Sequence, residues 1–589
     1  MKDFIKYTFA TVTGIVLSVV VFTILSIITI SGIIASSDTE TKVKSNSIFV
    51  LDFNGELLER SEDNPLEELI YGEGSGTYGL DDVLSSIKKA KENSDIKGIY
   101  LCPTSLSTSF ASLEEIRNAL LDFKKSKKFI VAYADQYSQG MYYLSSVADK
   151  IIVNPQGTIS WHGLASEPIF YKDLLSKLGV EMQVFKVGTY KSAVEPFTST
   201  SMSDANREQV TAYINSIWGK LLSDISKSRK ISVDSLNAYA DKNMDFQQAK
   251  EYIKCKLADD LMYKDGVVSY LKKLTDCKED DDLNTLYLSD MINVKKNVPK
   301  DKSGNVIAVY YAYGDIVDET PETSSNYIDS KKVTSDLRKL TNDDDVKAVV
   351  LRVNSPGGSA YASEQIWHEV VAMKEKKPVV VSMGDYAASG GYYISCGASY
   401  IIADPTTLTG SIGIFGMFPN MEGLLTDKLG LHFDVVKTNK FADMGTISRP
   451  FNNEEKDAFQ SYINNGYSLF VKRCADGRKM PVQEIEKIAQ GRVWTGAMAK
   501  NIGLVDELGG IDKAIDKAAS LAKIKSYTTL SYPEKTDWFT SLFSDSKDSY
   551  IDGKLKSSFA EYYNGLKFIE YLKDADNIQA RLPFELNIK

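Results

Sequence analysis

Histidine is almost missing from this chain: His162, His368 and His432 are the only three in 589 residues. A histidine-based catalytic triad therefore has few ways to be assembled. Cysteine is scarce as well. Cys102, Cys255, Cys277, Cys396 and Cys474 are scattered, and none forms a C-x-x-C pair, so neither a zinc site nor a disulfide scaffold is indicated. Basic residues are not in excess. The 69 Lys and Arg stand against 79 Asp and Glu, a net charge of -10, which gives no electrostatic reason to bind nucleic acid. Long apolar runs are limited to one, which excludes a multi-span membrane protein. No motif calls for a cofactor or a metal. What is present is ordinary for globular protein: 43% apolar and 25% charged residues. At about 100–200 residues per domain, the length predicts more than one domain.

The single apolar run is N-terminal. Residues 7–37 carry no charged side chain. At about 1.5 Å per residue, the run is longer than the roughly 30 Å bilayer core. Lys2 and Lys6 precede it, and Asp38 and Glu40 follow it before Lys42. The positive-inside bias puts the N-terminus in the cytoplasm and the rest of the chain outside it. The expectation is a single-pass anchor in the inner (cytoplasmic) membrane, within a segment 1–45 that holds the cytoplasmic stub and the transmembrane helix. A cleaved signal peptide is the alternative, although its apolar region would span only about 7–15 residues. An odd cysteine count sits awkwardly with an oxidising compartment. Free buried thiols are the simplest account.

The rest of the chain is duplicated. Residues 96–164 recur as 346–414 at a constant offset of 250. Asp135, Gly140 and Tyr142-Tyr143 match Asp385, Gly390 and Tyr392-Tyr393. Ile151-Ile152, Pro155 and Gly163 match Ile401-Ile402, Pro405 and Gly413. Further on, Leu178-Gly179 matches Leu429-Gly430 at an offset of 251. The division is a first repeat 46–300, a second repeat 301–526 and an unrepeated tail 527–589. Strand-like runs at 346–353, 378–383 and 400–403 alternate with helical patterns at 362–374 and 389–396. That alternation argues for βαβ units and a parallel sheet, an α/β fold. Ser355-Pro356-Gly357-Gly358 reads as a turn, and His432 as the start of a strand. Stretches 204–229 and 453–474 read as helices closing each repeat. The tail carries an apolar cluster from Trp538 to Leu572, expected to pack on its own domain, with a subunit contact or a membrane-surface role as alternatives.

The two repeats differ where chemistry could occur. Ala388-Ser389-Gly390-Gly391 sets one hydroxyl among small residues at a helix start, where the helix dipole favours a developing oxyanion. The first repeat has Gln139 there. An ordinary N-cap is the other reading of Ser389. A nucleophilic serine needs a base, and nothing places any of the three histidines beside it. Lysine is the remaining usual base once burial lowers its pKa. Lys191 lies in Gly188-Thr189-Tyr190-Lys191-Ser192-Ala193, and its counterpart in the second repeat is Ala442. One repeat keeps the serine and the other keeps the lysine, as expected for one active site shared between two degenerate repeats. Backbone N–H groups of Gly357 and Gly358 could hold a tetrahedral oxyanion; an ordinary strand-to-helix turn is the alternative. Ser411 could hold the lysine amine, or be a simple turn serine.

These motifs resemble the signal peptide peptidase A family, in its long two-repeat form. Gly188–Ala193 is similar to that family's general-base motif. Asn354–Gly358 and Ala388–Gly391 are similar to its oxyanion and nucleophile motifs. The resemblance implies tandem crotonase- or ClpP-like repeats and a Ser389–Lys191 dyad. It also implies a homotetrameric bowl anchored at the extracytoplasmic (periplasmic) face, degrading cleaved signal peptides and other apolar peptides. An acyl-CoA enzyme on the same fold and a non-catalytic membrane scaffold are the competing readings. Neither accounts for the paired serine and lysine.

Overall fold

The computed structural model describes residues 40–61, 76–295, 301–319, 327–535 and 578–581, with a few short pieces between Lys6 and Phe22. Most of the expected anchor and the apolar cluster from Trp538 to Leu572 lie outside the described residues. Among the described residues, no helix is long and apolar enough to cross a membrane.

Each repeat is built on a mainly parallel sheet; in the second, Val493–Thr495 pairs antiparallel with Leu408–Gly410. In the first, β1 (Ser47–Leu51), β4 (Ile96–Leu101), β6 (Phe129–Tyr137), β7 (Lys150–Ile159), β9 (Asp260–Leu261) and β10 (Thr285–Leu286) lie in the order β10-β1-β4-β6-β7-β9. In the second, β11 (Val306–Tyr313), β14 (Val346–Ser355), β16 (Val379–Ala388), β18 (Leu408–Gly410), β20 (Val493–Thr495) and β22 (Thr528–Tyr532) lie in the order β20-β18-β16-β14-β11-β22. There β17 (Tyr400–Ala403) pairs with β16, and β21 (Glu507–Leu508) pairs with β17. The valine-rich strands are buried on both faces, as helix-covered parallel sheets require. Alternate residues divide between two cores. Tyr310, Leu351 and Val381 face one, while Val309, Val350 and Val380 face the other, under Ala514 and Ala518 of the helix Ile511–Leu521. The two closing helices run Asp204–Arg229 and Asn453–Arg478.

Smaller sheets flank these. In the first repeat, β2 (Asn54–Leu58), β3 (Gly76–Gly79) and β5 (Ser105–Ser107) form three strands. In the second, β12 (Asp315–Val317), β13 (Tyr327–Asp329), β15 (Gly357–Ser359), β19 (Phe415–Asn420) and β23 (Ile578–Arg581) join β8 (Glu181–Lys186) in the order β13-β12-β15-β23-β19-β8. Two expectations are corrected here. Gly357-Gly358 is not a simple turn but the start of strand β15, because glycine admits the φ of +114° at Gly357 that lets the backbone lie flush against its neighbours. His432 lies in an exposed segment outside any strand, because among the described residues that segment pairs with no neighbouring edge.

The repeats interlock at several places, two of them extensive. Strand β8, from the first repeat, pairs antiparallel with β19 of the second, from Phe415 opposite Lys186 to Asn420 opposite Glu181. Arg352, on β14, is buried against first-repeat carboxylates. It donates to Glu59 through Nε at 2.8 Å and Nη2 at 3.0 Å, and its Nη2 lies 2.6 Å from Glu115 Oε1.

Candidate active site

Lys191 follows β8 through a turn that the second repeat clamps. Tyr190 N–H donates to Gln490 O at 2.9 Å. Gly188, at φ +111°, crosses Gln490 so closely that a Cβ would lie 2.4 Å from that carbonyl oxygen. Gly413 and Gly491 crowd the lysine stem from the other side, where their Cβ atoms would lie 3.2 and 2.6 Å from it. The close crossing of backbones directs the side chain inward.

Ser389 joins β16 to the helix Gly390–Cys396. Its backbone, φ 54° and ψ -112°, is a sparsely populated conformation for a non-glycine residue. Its N–H donates to Gly410 O at 2.8 Å, and its carbonyl accepts the Tyr393 N–H at 2.8 Å. The side chain makes no capping bond. The hydroxyl points instead to Lys191, whose Nζ lies 2.8 Å from Ser389 Oγ. Small neighbours are required: a Cβ on Gly390 would meet Ser363 Oγ at 2.7 Å, and one on Gly391 would meet Ser355 O at 2.7 Å.

Ser411 completes the contacts of the amine. Lys191 Nζ is 3.1 Å from Ser411 Oγ and 3.2 Å from Ser411 O. Lys191, Ser389 and Ser411 are all fully buried. Burial alone pushes the lysine amine well below the ordinary lysine range. The partners suit a neutral amine. Its two N–H groups can go to the Ser411 oxygens, and its lone pair can accept the Ser389 O–H.

Gly357 and Gly358 sit beside the nucleophile turn, with a Cβ on Gly390 lying 3.1 Å from Gly357 Cα. The Gly357 N–H already donates to Ser355 Oγ at 3.2 Å. The carbonyl oxygen of Ala580, on β23, enters this nook. A Cβ on Gly357 would lie 2.0 Å from it, and one on Gly390 3.1 Å. His162, His368 and His432 are all exposed, away from this buried cluster.

The matching place in the first repeat is filled. Gln139 accepts the N–H groups of His162 and Gly163 at 3.1 and 3.0 Å and donates to Gly163 O at 3.0 Å. Trp161, the counterpart of Ser411, is fully buried, and its Nε1–H donates to Leu236 O at 2.8 Å. Ser138 there is a true N-cap, accepting the Met141 N–H at 3.3 Å.

Residues not singled out from the sequence hold the site. Asp385 accepts the Ser112 N–H at 2.9 Å, the Ser112 hydroxyl at 2.8 Å and the Ser109 hydroxyl, tying β16 to the helix Phe110–Phe123 of the other repeat. Asp385 recurs as Asp135, which was its only signal. Gly491 had none, since its contact with Lys191 spans the two repeats.

The buried serine and lysine meet on a duplicated α/β frame, and similarity to known proteins gives the class and the family. The model of peptidase family S49 matches residues 122–278 and again 371–525. That of Clp protease matches residues 317–405. The chain is 40% identical over 493 residues to Protease 4 of Salmonella typhi, covering 81% of this chain and 79% of that protein. It is 34% identical to Protease 4 of Haemophilus influenzae, covering 88% and 86%. It is 31% identical to the chloroplastic serine protease SPPA of Arabidopsis thaliana, covering 82% and 70%. The chain belongs to peptidase family S49, as a serine peptidase with two tandem S49 repeats of mixed α/β fold.

Proposed function

We propose that this chain is a membrane-anchored, extracytoplasmic endopeptidase that uses a Ser389–Lys191 dyad to degrade cleaved signal peptides and other apolar peptides. The observation that carries the dyad is the 2.8 Å contact between Lys191 Nζ and Ser389 Oγ inside a fully buried cluster. Neutral Lys191 takes the Ser389 proton as Oγ bonds to the substrate carbonyl carbon. The same amine then protonates the leaving nitrogen as the C–N bond breaks. Water, deprotonated by Lys191, releases the acyl group. The backbone N–H groups of Gly357 and Gly358 are the oxyanion donors in this reading, and Gly357 N–H would have to turn from Ser355 Oγ to serve. Ser411 keeps the amine aimed at Ser389.

Strand β23 supports an extended peptide as the substrate shape. It lies antiparallel between β15 and β19, with Ala580 opposite Gly358 and Gln579 opposite Phe415. A substrate strand added in this slot would gain the same main-chain bonds, once Ile578–Arg581 vacates it. The anchor rests on the uncharged run 7–37, and the homotetramer on family resemblance. Hydrolysis of an apolar fluorogenic peptide by wild type and Ser389→Ala, in parallel, tests the reading. Activity retained in Ser389→Ala would refute the dyad. Tryptic digestion of right-side-out and inverted vesicles tests the orientation. An acyl-CoA enzyme would neither require Lys191 nor cleave the peptide.

A further inference from the structure

One side-chain amide reaches the supports of both Lys191 and Ser389. Gln209, on the closing helix Asp204–Arg229, is fully buried. Its Nε2 donates to Tyr190 O at 3.0 Å and to Ser192 Oγ at 2.9 Å, the residues immediately before and after Lys191. Asn206 Oδ1 lies 3.1 Å from the same nitrogen. At the other end, Gln209 Oε1 accepts the Val493 N–H of the second repeat at 3.1 Å.

That far end leads to the serine. Val493 lies opposite Gly410 in the antiparallel pair of β20 and β18, and Gly410 O accepts the Ser389 N–H at 2.8 Å. Just before Val493, Arg492 O accepts the Ser411 N–H at 2.7 Å, and Gly491 packs on the lysine stem. A buried network holds Gln209 itself in place. The Ser192 hydroxyl donates to Asn206 Oδ1 at 3.0 Å, Asn206 Nδ2 donates to Glu195 at 2.9 Å, and Glu195 accepts the Ser203 hydroxyl at 2.6 Å. Buried polar networks whose members are bonded in this way fix a single geometry.

The duplication sets this amide apart from ordinary helix packing. The N-caps Ser203 and Asn452 put the two closing helices in register, which makes Ala458 the counterpart of Gln209. Ala458 is exposed. Of the two closing helices, only the one in the repeat that keeps the lysine carries the amide.

We propose that Gln209 is a positioning residue for the dyad, holding the turn that carries Lys191 against the strands that support Ser389. The inference rests on the Ser389–Lys191 reading. Gln209 acts through the residues on either side of the lysine and keeps their turn closed over the amine. Burial is the cause of the lowered Lys191 pKa, so a turn that opens to water raises it. The charged groups around the turn are Lys186, whose Nζ donates to Lys191 O at 3.3 Å, Glu195, and Arg492 paired with Glu208 at 2.8 Å.

The test uses the full chain in detergent, with kcat and KM for an apolar fluorogenic peptide measured across pH. Gln209→Met has a side chain of similar length and loses the bonds at both ends. Gln209→Glu keeps an acceptor for the Val493 N–H and loses at least one donor. Both should lower kcat at neutral pH with KM little changed, Gln209→Met by on the order of 100-fold for a shift of about 1 Å. The activity limb should move to higher pH, by about one unit, as the amine regains water. Tyr252→Phe is the control for a lost buried hydrogen bond in the same repeat, since its hydroxyl donates to Met244 O at 2.8 Å. Its denaturation midpoint should fall while the limb stays where it is. A limb at the wild-type pH in either Gln209 variant would overturn the inference. So would failure of both variants to fold, which would make Gln209 part of the framework alone. Activity kept in Ser389→Ala would instead remove the dyad reading itself.

Discussion

The Cβ of Lys191 lies 2.6 Å from the point where a side chain on Gly491 would begin. The second repeat therefore positions the first repeat's lysine through bare backbone. Gly491 also holds φ +78°, which costs an L-residue about 1–2 kcal/mol. Gly491→Ala should fold but displace the lysine, and a shift of about 1 Å is worth on the order of 100-fold in rate. The loss should fall in kcat with KM little changed. Gly503→Ala is the control. It has φ +82° but only the Met480 side chain within 4 Å, so it should carry the strain and keep the activity.

Ser389→Ala should abolish peptide hydrolysis and cost up to about 1–3 kcal/mol of stability, because no capping bond is lost but the buried Lys191 amine loses a partner. Ser138→Ala should affect stability alone. It removes a real cap, worth about 1 kcal/mol, and should leave kcat/KM unchanged. Urea denaturation and a rate assay on both variants check the pair. Equal activity losses would show that the site is misassigned.

Lys191→Arg should be inactive although its charge is kept, because arginine stays protonated. In wild type, activity should climb as pH rises through the lowered lysine pKa, since only the neutral amine accepts a proton. Stability follows the same shift. Between the lowered folded value and about 10.4 in the unfolded chain, only the unfolded state holds the proton. Stability therefore rises with pH across that window and levels off above it. Lys191→Met should flatten this slope, as read from denaturation midpoints at neutral pH and near pH 10.

Arg352→Met leaves Glu59 and Glu115 buried without their cation. Breaking such a cluster from one side costs about 3–5 kcal/mol. Burial already pushes the Glu59 carboxyl up, with Arg352 opposing it. Without the arginine, folding favours the protonated acid, so the deficit should grow as pH rises above about 4.3. Chemical denaturation at pH 5 and pH 8 checks both the size and the direction.

Chains carrying Lys191→Ala, mixed with chains carrying Ser389→Ala, should stay inactive. Lys191 and Ser389 of one chain already meet through β8 on β19. Recovered activity would mean that β8 exchanges between copies.

Much of the frame is legible along the chain. The valine-rich run at 346–353 and the apolar run at 400–403 become strands because apolar β-branched residues buried on both faces suit a central parallel sheet. The helix at 204–229 carries its own start in the Ser203 cap, which accepts the Asn206 N–H. The reciprocal loss of serine and lysine is also visible, because a duplicated chain serves as its own reference. The strand at Gly357–Ser359 was not legible, since its partners β12 and β23 are distant in sequence and supply the pairing.

The sequence by itself determined the duplication, the α/β alternation and the two residues, Ser389 and Lys191, that each repeat keeps alone. These are local patterns or comparisons of the chain with itself. Only the tertiary structure decided how they meet. It buried Lys191 and so lowered its pKa, set Ser389 at φ 54° with its hydroxyl free of the helix cap, and filled the first repeat's equivalent site with Gln139 and Trp161. Desolvation, backbone crossing and strand pairing depend on neighbours that lie up to some 300 residues away in the chain, and no local pattern encodes them.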